Sequence, residues 1–134
     1  MRELSNMKIV YLILGLVILT ALNSCEKIEL DAPIACKVGT KYRIDHNLSF
    51  TIDSISDYRC PKNVICIWPG DVDVHLEIHH NFSVIDRVLN FNYPDNRPFR
   101  YDGYDWEIIK VEPFLEMGQY ADQKDYTITL KIKN

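Results

Sequence analysis

Apolar and polar residues alternate through most of the chain beyond residue 40. Tyr42 and Ile44, then Leu48, Phe50 and Ile52, recur two apart, the period of a strand that buries one face. From Asp71 to His79 the pattern is cleaner, with Val72, Val74, Leu76 and Ile78 set against Asp73, His75, Glu77 and His79. Phe82 to Phe91 reads as a further strand after a turn near Asn81, and Tyr104 to Glu112 as another, ended by Pro113. In the last segment Tyr126, Ile128, Leu130 and Ile132 alternate with Thr127, Thr129, Lys131 and Lys133. No amphipathic helix longer than two turns is predicted, and a short one is placed at Pro113 to Gln119. Six to seven short strands with turn residues between them predict an all-β fold. It is either an antiparallel β-sandwich of immunoglobulin-like kind or an open barrel, with one apolar face of each strand turned to a shared core.

The first 24 residues follow a different rule. Ile9 to Leu22 is uncharged throughout, yet shorter than the roughly 20 residues a spanning helix needs. With Arg2 and Lys8 before it, the run reads as the apolar part of a cleaved signal peptide. Met1 and Met7 both serve as possible starts. The run ends Leu22-Asn23-Ser24-Cys25, which resembles the lipobox of bacterial lipoproteins. Asn23 departs from the Ala or Ser usual at its position. The resemblance implies a diacylglyceryl group on the Cys25 thiol, cleavage before Cys25, and acylation of the new amine with a fatty acid such as palmitate. Two or three acyl chains hold a protein firmly to a membrane, where one does not.

The expected organisation is therefore a signal peptide over 1–24, a lipidated cysteine and tether over 25–37, and one β domain over 38–134. The expected location is the cell envelope, lipid-anchored in the outer membrane, in its periplasmic or surface-facing leaflet. Glu26, Glu29 and Asp31 in the tether resemble export signals of surface lipoproteins.

Composition narrows the function. The 134 residues carry 15 Lys+Arg against 19 Asp+Glu, a net charge of −4, opposite to the basic face that nucleic acid requires. Loss of Arg2, Glu3 and Lys8 with the leader leaves 13 basic and 18 acidic residues, or −5. With Cys25 assigned to lipid, Cys36, Cys60 and Cys66 remain, in a compartment where disulfides are allowed. Proximity favours Cys60–Cys66, while spacing leaves Cys36–Cys60 and Cys36–Cys66 open. The leftover Cys36 reads as a buried small residue or an exposed thiol. The spacing fits neither a structural zinc site nor a C-x-x-C redox pair.

Asp57-Tyr58-Arg59-Cys60-Pro61-Lys62-Asn63-Val64-Ile65-Cys66-Ile67-Trp68-Pro69-Gly70 resembles a D-x-R-C-P-x-x-V-x-C-x-W-x-G motif of small exported bacterial proteins, a largely uncharacterised family. The resemblance implies a β fold from Val38 onward and supplies no catalytic residues. Physically, Trp68 is expected to plug one end of the sandwich and Gly70 to permit the turn into the next strand. Arg59 is expected to pair with Asp57. The functional reading is a stiff loop over 60–66, presented to a partner as a protease inhibitor presents its loop.

Three further sites are expected at lower specificity. His75, Glu77 and His79 share one strand face, a candidate metal site that would need other ligands. Residues 91–106 form an aromatic loop in which Tyr93, Arg97, Tyr101, Tyr104 and Trp106 are candidates for binding a glycan or peptide. Asp53-Ser54-Ile55 resembles a bacterial O-glycosylation acceptor, at Ser54. No nucleophile elbow, phosphate-binding loop or dinucleotide fingerprint is present. The reading is a non-enzymatic binding or structural module without a cofactor, whose partners are the membrane and a protein or glycan.

Overall fold

The computed structural model describes Tyr11 and residues 25–91 and 98–134. The predicted leader, apart from Tyr11, lies outside the described residues, as do Tyr93 and Arg97. Among the described residues the strands are β1 Cys25–Lys27, β2 Pro33–Lys37, β3 Lys41–Arg43, β4 Leu48–Asp57, β5 Val72–His80, β6 Ser83–Asn90, β7 Phe99–Tyr101, β8 Tyr104–Glu112 and β9 Thr127–Lys133. They form two sheets, ordered β1-β3-β4-β5-β6 and β2-β9-β8-β7, that do not close into a barrel. The fold is the all-β sandwich expected from the alternation.

Two of the additional strands come from the segment read as a tether. β1 runs parallel to β3, the one parallel pairing between named strands, and β2 pairs antiparallel with β9 from Pro33↔Lys131 to Lys37↔Thr127. Ile28 and Cys36 enter the core, so this segment is held by burial of its own apolar residues. β7 is the third addition. Asp102 and Gly103, with φ of 52° and 82°, turn it back onto β8 in the left-handed pair that a two-residue hairpin prefers. Pro113 to Gln119 is irregular, and the one short helical turn nearby is 3-10, at Gln123–Asp125.

The inner faces supply one core. Leu48, Phe50 and Ile52 of β4 and Val72, Val74, Leu76 and Ile78 of β5 are all at most 1% exposed, as are Trp106 of β8 and Ile128, Leu130 and Ile132 of β9. Phe50 meets Trp106 edge-to-face across the sheets, with centroids 5.1 Å apart, and each such side chain stabilises the fold by about 1.5–3 kcal/mol through burial. Two bulges reset the alternation. In β4 the register shifts between Ile52 and Ser54, so the inward sequence runs Ile52 then Ile55. In β8 the shift falls between Ile108 and Lys110, leaving Ile109 exposed and Val111 buried. Cys36 is fully buried and unpaired. Burial pushes its thiol up to about 12, with Glu26 adding to the effect, which keeps it neutral and unreactive.

Candidate functional site

β4 ends at Asp57 and β5 begins at Val72, and the fourteen-residue connection between them is built from the recognised motif. Its stem is a backbone ladder in which Tyr58 N donates to Asp71 O at 3.0 Å and Cys60 N to Pro69 O at 2.7 Å. The Cys60–Cys66 disulfide closes the loop above that stem. Gly70 makes the stem possible. Its φ is +70°, and a β-carbon there would lie 2.0 Å from the Tyr58 carbonyl oxygen, closer than any side chain tolerates. Asp71 stiffens the far side, its Oδ1 accepting from Val72 N at 2.7 Å and Phe91 N at 3.1 Å.

Beneath the loop lies a buried ion pair. Arg59 Nε and Nη2 donate to the two Asp57 carboxylate oxygens at 2.8 and 2.6 Å, with side-chain exposures of 6% and 9%. Two further guanidinium N–H groups, on Nη1 and Nη2, reach Val111 O at 2.9 Å and Pro113 O at 2.7 Å, so one arginine fastens the loop to the end of β8. Tyr126 completes the cluster, donating its hydroxyl to Asp57 Oδ2 at 3.2 Å. Burial alone would raise the Asp57 carboxyl. The hydrogen bonds and charge of Arg59, with the Tyr126 hydroxyl, outweigh it and hold the group below the usual carboxylate range. Tyr126 is pushed up to about 12, first by burial and then by the Asp57 charge.

A second segment, 113–121, buttresses the first. Lys62 N donates to Leu115 O at 3.1 Å and Met117 N to Asn63 Oδ1 at 2.7 Å. The Arg59 guanidinium carbon lies 4.7 Å from the Phe114 ring centroid and Lys62 Nζ 5.5 Å. Arg59, Pro61, Phe114, Met117, Tyr120 and Tyr126 help line a groove of about 380 Å³ between the two segments.

The tip itself is apolar and uncovered. Ile65 and Ile67 are fully exposed on either side of Cys66, and Trp68 is 65% exposed. Trp68 therefore does not plug the sandwich. It stacks on Tyr58 with centroids 6.0 Å apart, and the Tyr58 hydroxyl donates to Asp73 Oδ1 at 2.8 Å. Met117 and Tyr120, on the neighbouring segment, are exposed as well.

The other expected sites are not brought together in this way. Trp106 is core, and its indole Nε1 has no hydrogen-bond partner among the described residues. Tyr101 packs against Phe99 and His80, while the Tyr104 hydroxyl donates to Asp45 Oδ2 at 3.1 Å. Tyr101 and Tyr104 are both partly buried and pack against the core. His75, Glu77 and His79 do share the outer face of β5. Glu77 pairs with His79 at 3.1 Å, but His75 lies 3.3 Å from the Ser56 hydroxyl, and no group of three or more His, Cys, Asp or Glu suited to a metal occurs among the described residues. Ser54 follows the β4 bulge, its hydroxyl 3.4 Å from Asp53 Oδ2. A depression of about 700 Å³ bordered by Lys41, Arg43, His46 and His79 also lies at this sheet. The Asp45 beside it is occupied by Asn47 N, Leu48 N and Tyr104.

The disulfide and the Asp57–Arg59 pair are the ones expected from the sequence, whereas Tyr126 and the segment 113–121 join the site only in the fold. The available signal was Phe114, Met117 and Tyr120 clustered in a stretch with no strand period to bury them. Among the described residues no helix is long and apolar enough to cross a membrane. Compared with known proteins, the chain significantly matches no family model, no curated protein and no solved structure.

Proposed function

We propose that this chain is a lipid-anchored envelope protein, attached through Cys25, whose β-sandwich binds a protein partner without catalysis through the stapled loop 58–70. The observation that carries the binding reading is the full exposure of Ile65 and Ile67 beside Trp68 on a loop fixed by a disulfide, a buried ion pair and a glycine stem. A loop already held in one conformation loses little ordering entropy on association, so its apolar contacts convert more fully into affinity. Trp and Tyr at the centre of such a patch are the residue types that dominate binding energy. The lipobox resemblance of Leu22 to Cys25 supports the anchor, and the Asp57 to Gly70 motif supports export.

The anchor has its own test. In cells fed labelled palmitate, the full chain is expected to take up label and sediment with membranes. Cys25→Ser is expected to lose the label completely. A Cys25→Ser protein that still carries palmitate would remove the lipoprotein reading. The binding role is read by photo-cross-linking from the loop.

A further inference from the structure

β6 is an edge of the five-stranded sheet, and among the described residues nothing pairs with its outer side. The other sheet edges are defended in ordinary ways. β1 and β7 have three residues each, and β2 opens with Pro33 and closes with Lys37. β6 is eight residues long and pairs with β5 without a bulge from Asp73↔Asn90 to His80↔Ser83. It holds neither proline nor lysine.

The hydrogen-bond phase shows which groups this edge offers. Phe91 N donates to Val72 O at 3.1 Å, so in this register Val72 and Phe91 form a hydrogen-bonded pair. Antiparallel pairs alternate, and the odd-numbered residues of β6 therefore bond to β5. The N–H and C=O groups of Val84, Asp86 and Val88 point outward. The Asp86 carbonyl already accepts from Arg87 Nη1 at 3.2 Å, which leaves the Asp86 N–H and the groups of the two valines.

The side chains define the occupant. Val84 and Val88 are about half exposed, at 56% and 48%, and flank Asp86 on the outer face of the sheet. Across the ladder Asp86 sits opposite Glu77, a like-charge pairing that disfavours the sheet, and Glu77 spends its contact on His79. A cation beside Asp86 would relieve this. Antiparallel pairing of β6 with the β6 of a second copy supplies none. Antiparallel self-pairing over the full strand sets Val84 against Val88 but Asp86 against its own copy, and sliding by two sets Asp86 against a valine.

We infer that β6 accepts an extended segment of another protein as an added antiparallel strand. That segment carries a Lys or Arg opposite Asp86 and apolar residues two positions to either side. Main-chain bonds supply affinity and the alternate side chains supply specificity in this mode. The inference does not rest on the stapled loop, at whose tip neither Val84 nor Asp86 lies.

Hydrogen exchange of the full chain purified in detergent tests it, with the capped peptide Thr-Val-Thr-Lys-Thr-Val-Thr as probe. At saturating peptide the amides of Val84, Asp86 and Val88 are expected to slow at least tenfold, while those of Ile85 and Arg87 stay unchanged. A peptide with Glu in place of Lys is expected to give less than a tenth of the affinity, and Asp86→Lys to reverse that preference. N-methylation of the peptide at its Lys and Val residues is expected to abolish the protection without altering the protein. Equal protection by the Lys and Glu peptides, indifference to N-methylation, or protection that rises with protein concentration alone would each overturn the proposal.

Discussion

Arg59→Met is expected to destabilise the fold by about 3–5 kcal/mol, because it leaves the Asp57 charge buried without its partner. The carboxylate keeps only the Arg59 backbone N–H at 3.2 Å and the Tyr126 hydroxyl. Two carbonyls, of Val111 and Pro113, lose their donors at the same time. The pH dependence identifies the cause. In the native protein the Asp57 carboxyl is lowered, so its contribution is fully present above the ordinary carboxylate value of about 4 and is lost as pH falls below it. In Arg59→Met the same buried group is expected to favour its protonated form. The variant should therefore gain stability as pH falls from 7 to 4 while the native protein does not. Urea unfolding at the two pH values checks this. Parallel curves would show that Arg59 acts through packing on Phe114 instead of through charge. At the alkaline end, Tyr126 is raised to about 12. Its contribution is present below the ordinary value of about 10 and is lost as pH rises from there toward 12.

Gly70→Ala is expected to cost about 2–4 kcal/mol, through collision and backbone strain together, and to lower the melting temperature by roughly 10 °C. The added methyl would meet the Tyr58 carbonyl oxygen at 2.0 Å and the Arg59 α-carbon at 2.8 Å. Both are backbone atoms of the opposite arm of the stem, so neither can rotate away. Asn tolerates positive φ better than Ala, yet Gly70→Asn is expected to fare no better, since its β-carbon occupies the same place. Gly103 provides the contrast. Its φ is +82° with nothing within 4 Å of a β-carbon, so Gly103→Asn is expected to cost less than about 1 kcal/mol. Thermal melts of the three variants separate collision from strain. A Gly70→Asn protein as stable as the native one would contradict the stem geometry.

Much of this architecture was legible in the chain because burial and alternation coincide. Val72 to Ile78 and Tyr126 to Ile132 face the core as their period demands. Alternation became misleading where a bulge intervened. Ile52 and Ile55 are three apart in sequence yet both buried, and strict period two would have turned one of them outward. β7 is harder to read: Asp102-Gly103 is a strong hairpin signal, but the aromatic residues around it fit a ligand loop equally well. In the segment 25–37 composition alone suggests a tether. Its charges lie on exposed positions, while Ile28 and Cys36 enter the core, Leu30 and Ile34 pack against it, and β1 and β2 pair with β3 and β9. At the site, the local pairs were readable because Asp57 and Arg59, and Cys60 and Cys66, are near in sequence. Tyr126 and Phe114 join them only through the fold. The exposure of Trp68 was unreadable for the opposite reason, since hydrophobicity alone says plug, and only the stem shows that the ring stacks on Tyr58 outside the core.

Photo-cross-linking in intact cells tests the central claim most directly. A benzophenone side chain placed at position 65 of the full chain is expected to give one discrete heavier product on illumination. The same probe at Lys110, on the exposed outer side of β8, is expected to give none. Ile67→Asp in the same chain is expected to reduce the yield from position 65 at least fivefold without changing the melting temperature. Equal products from positions 65 and 110, or a yield indifferent to Ile67→Asp, would contradict a partner-binding role for the stapled loop.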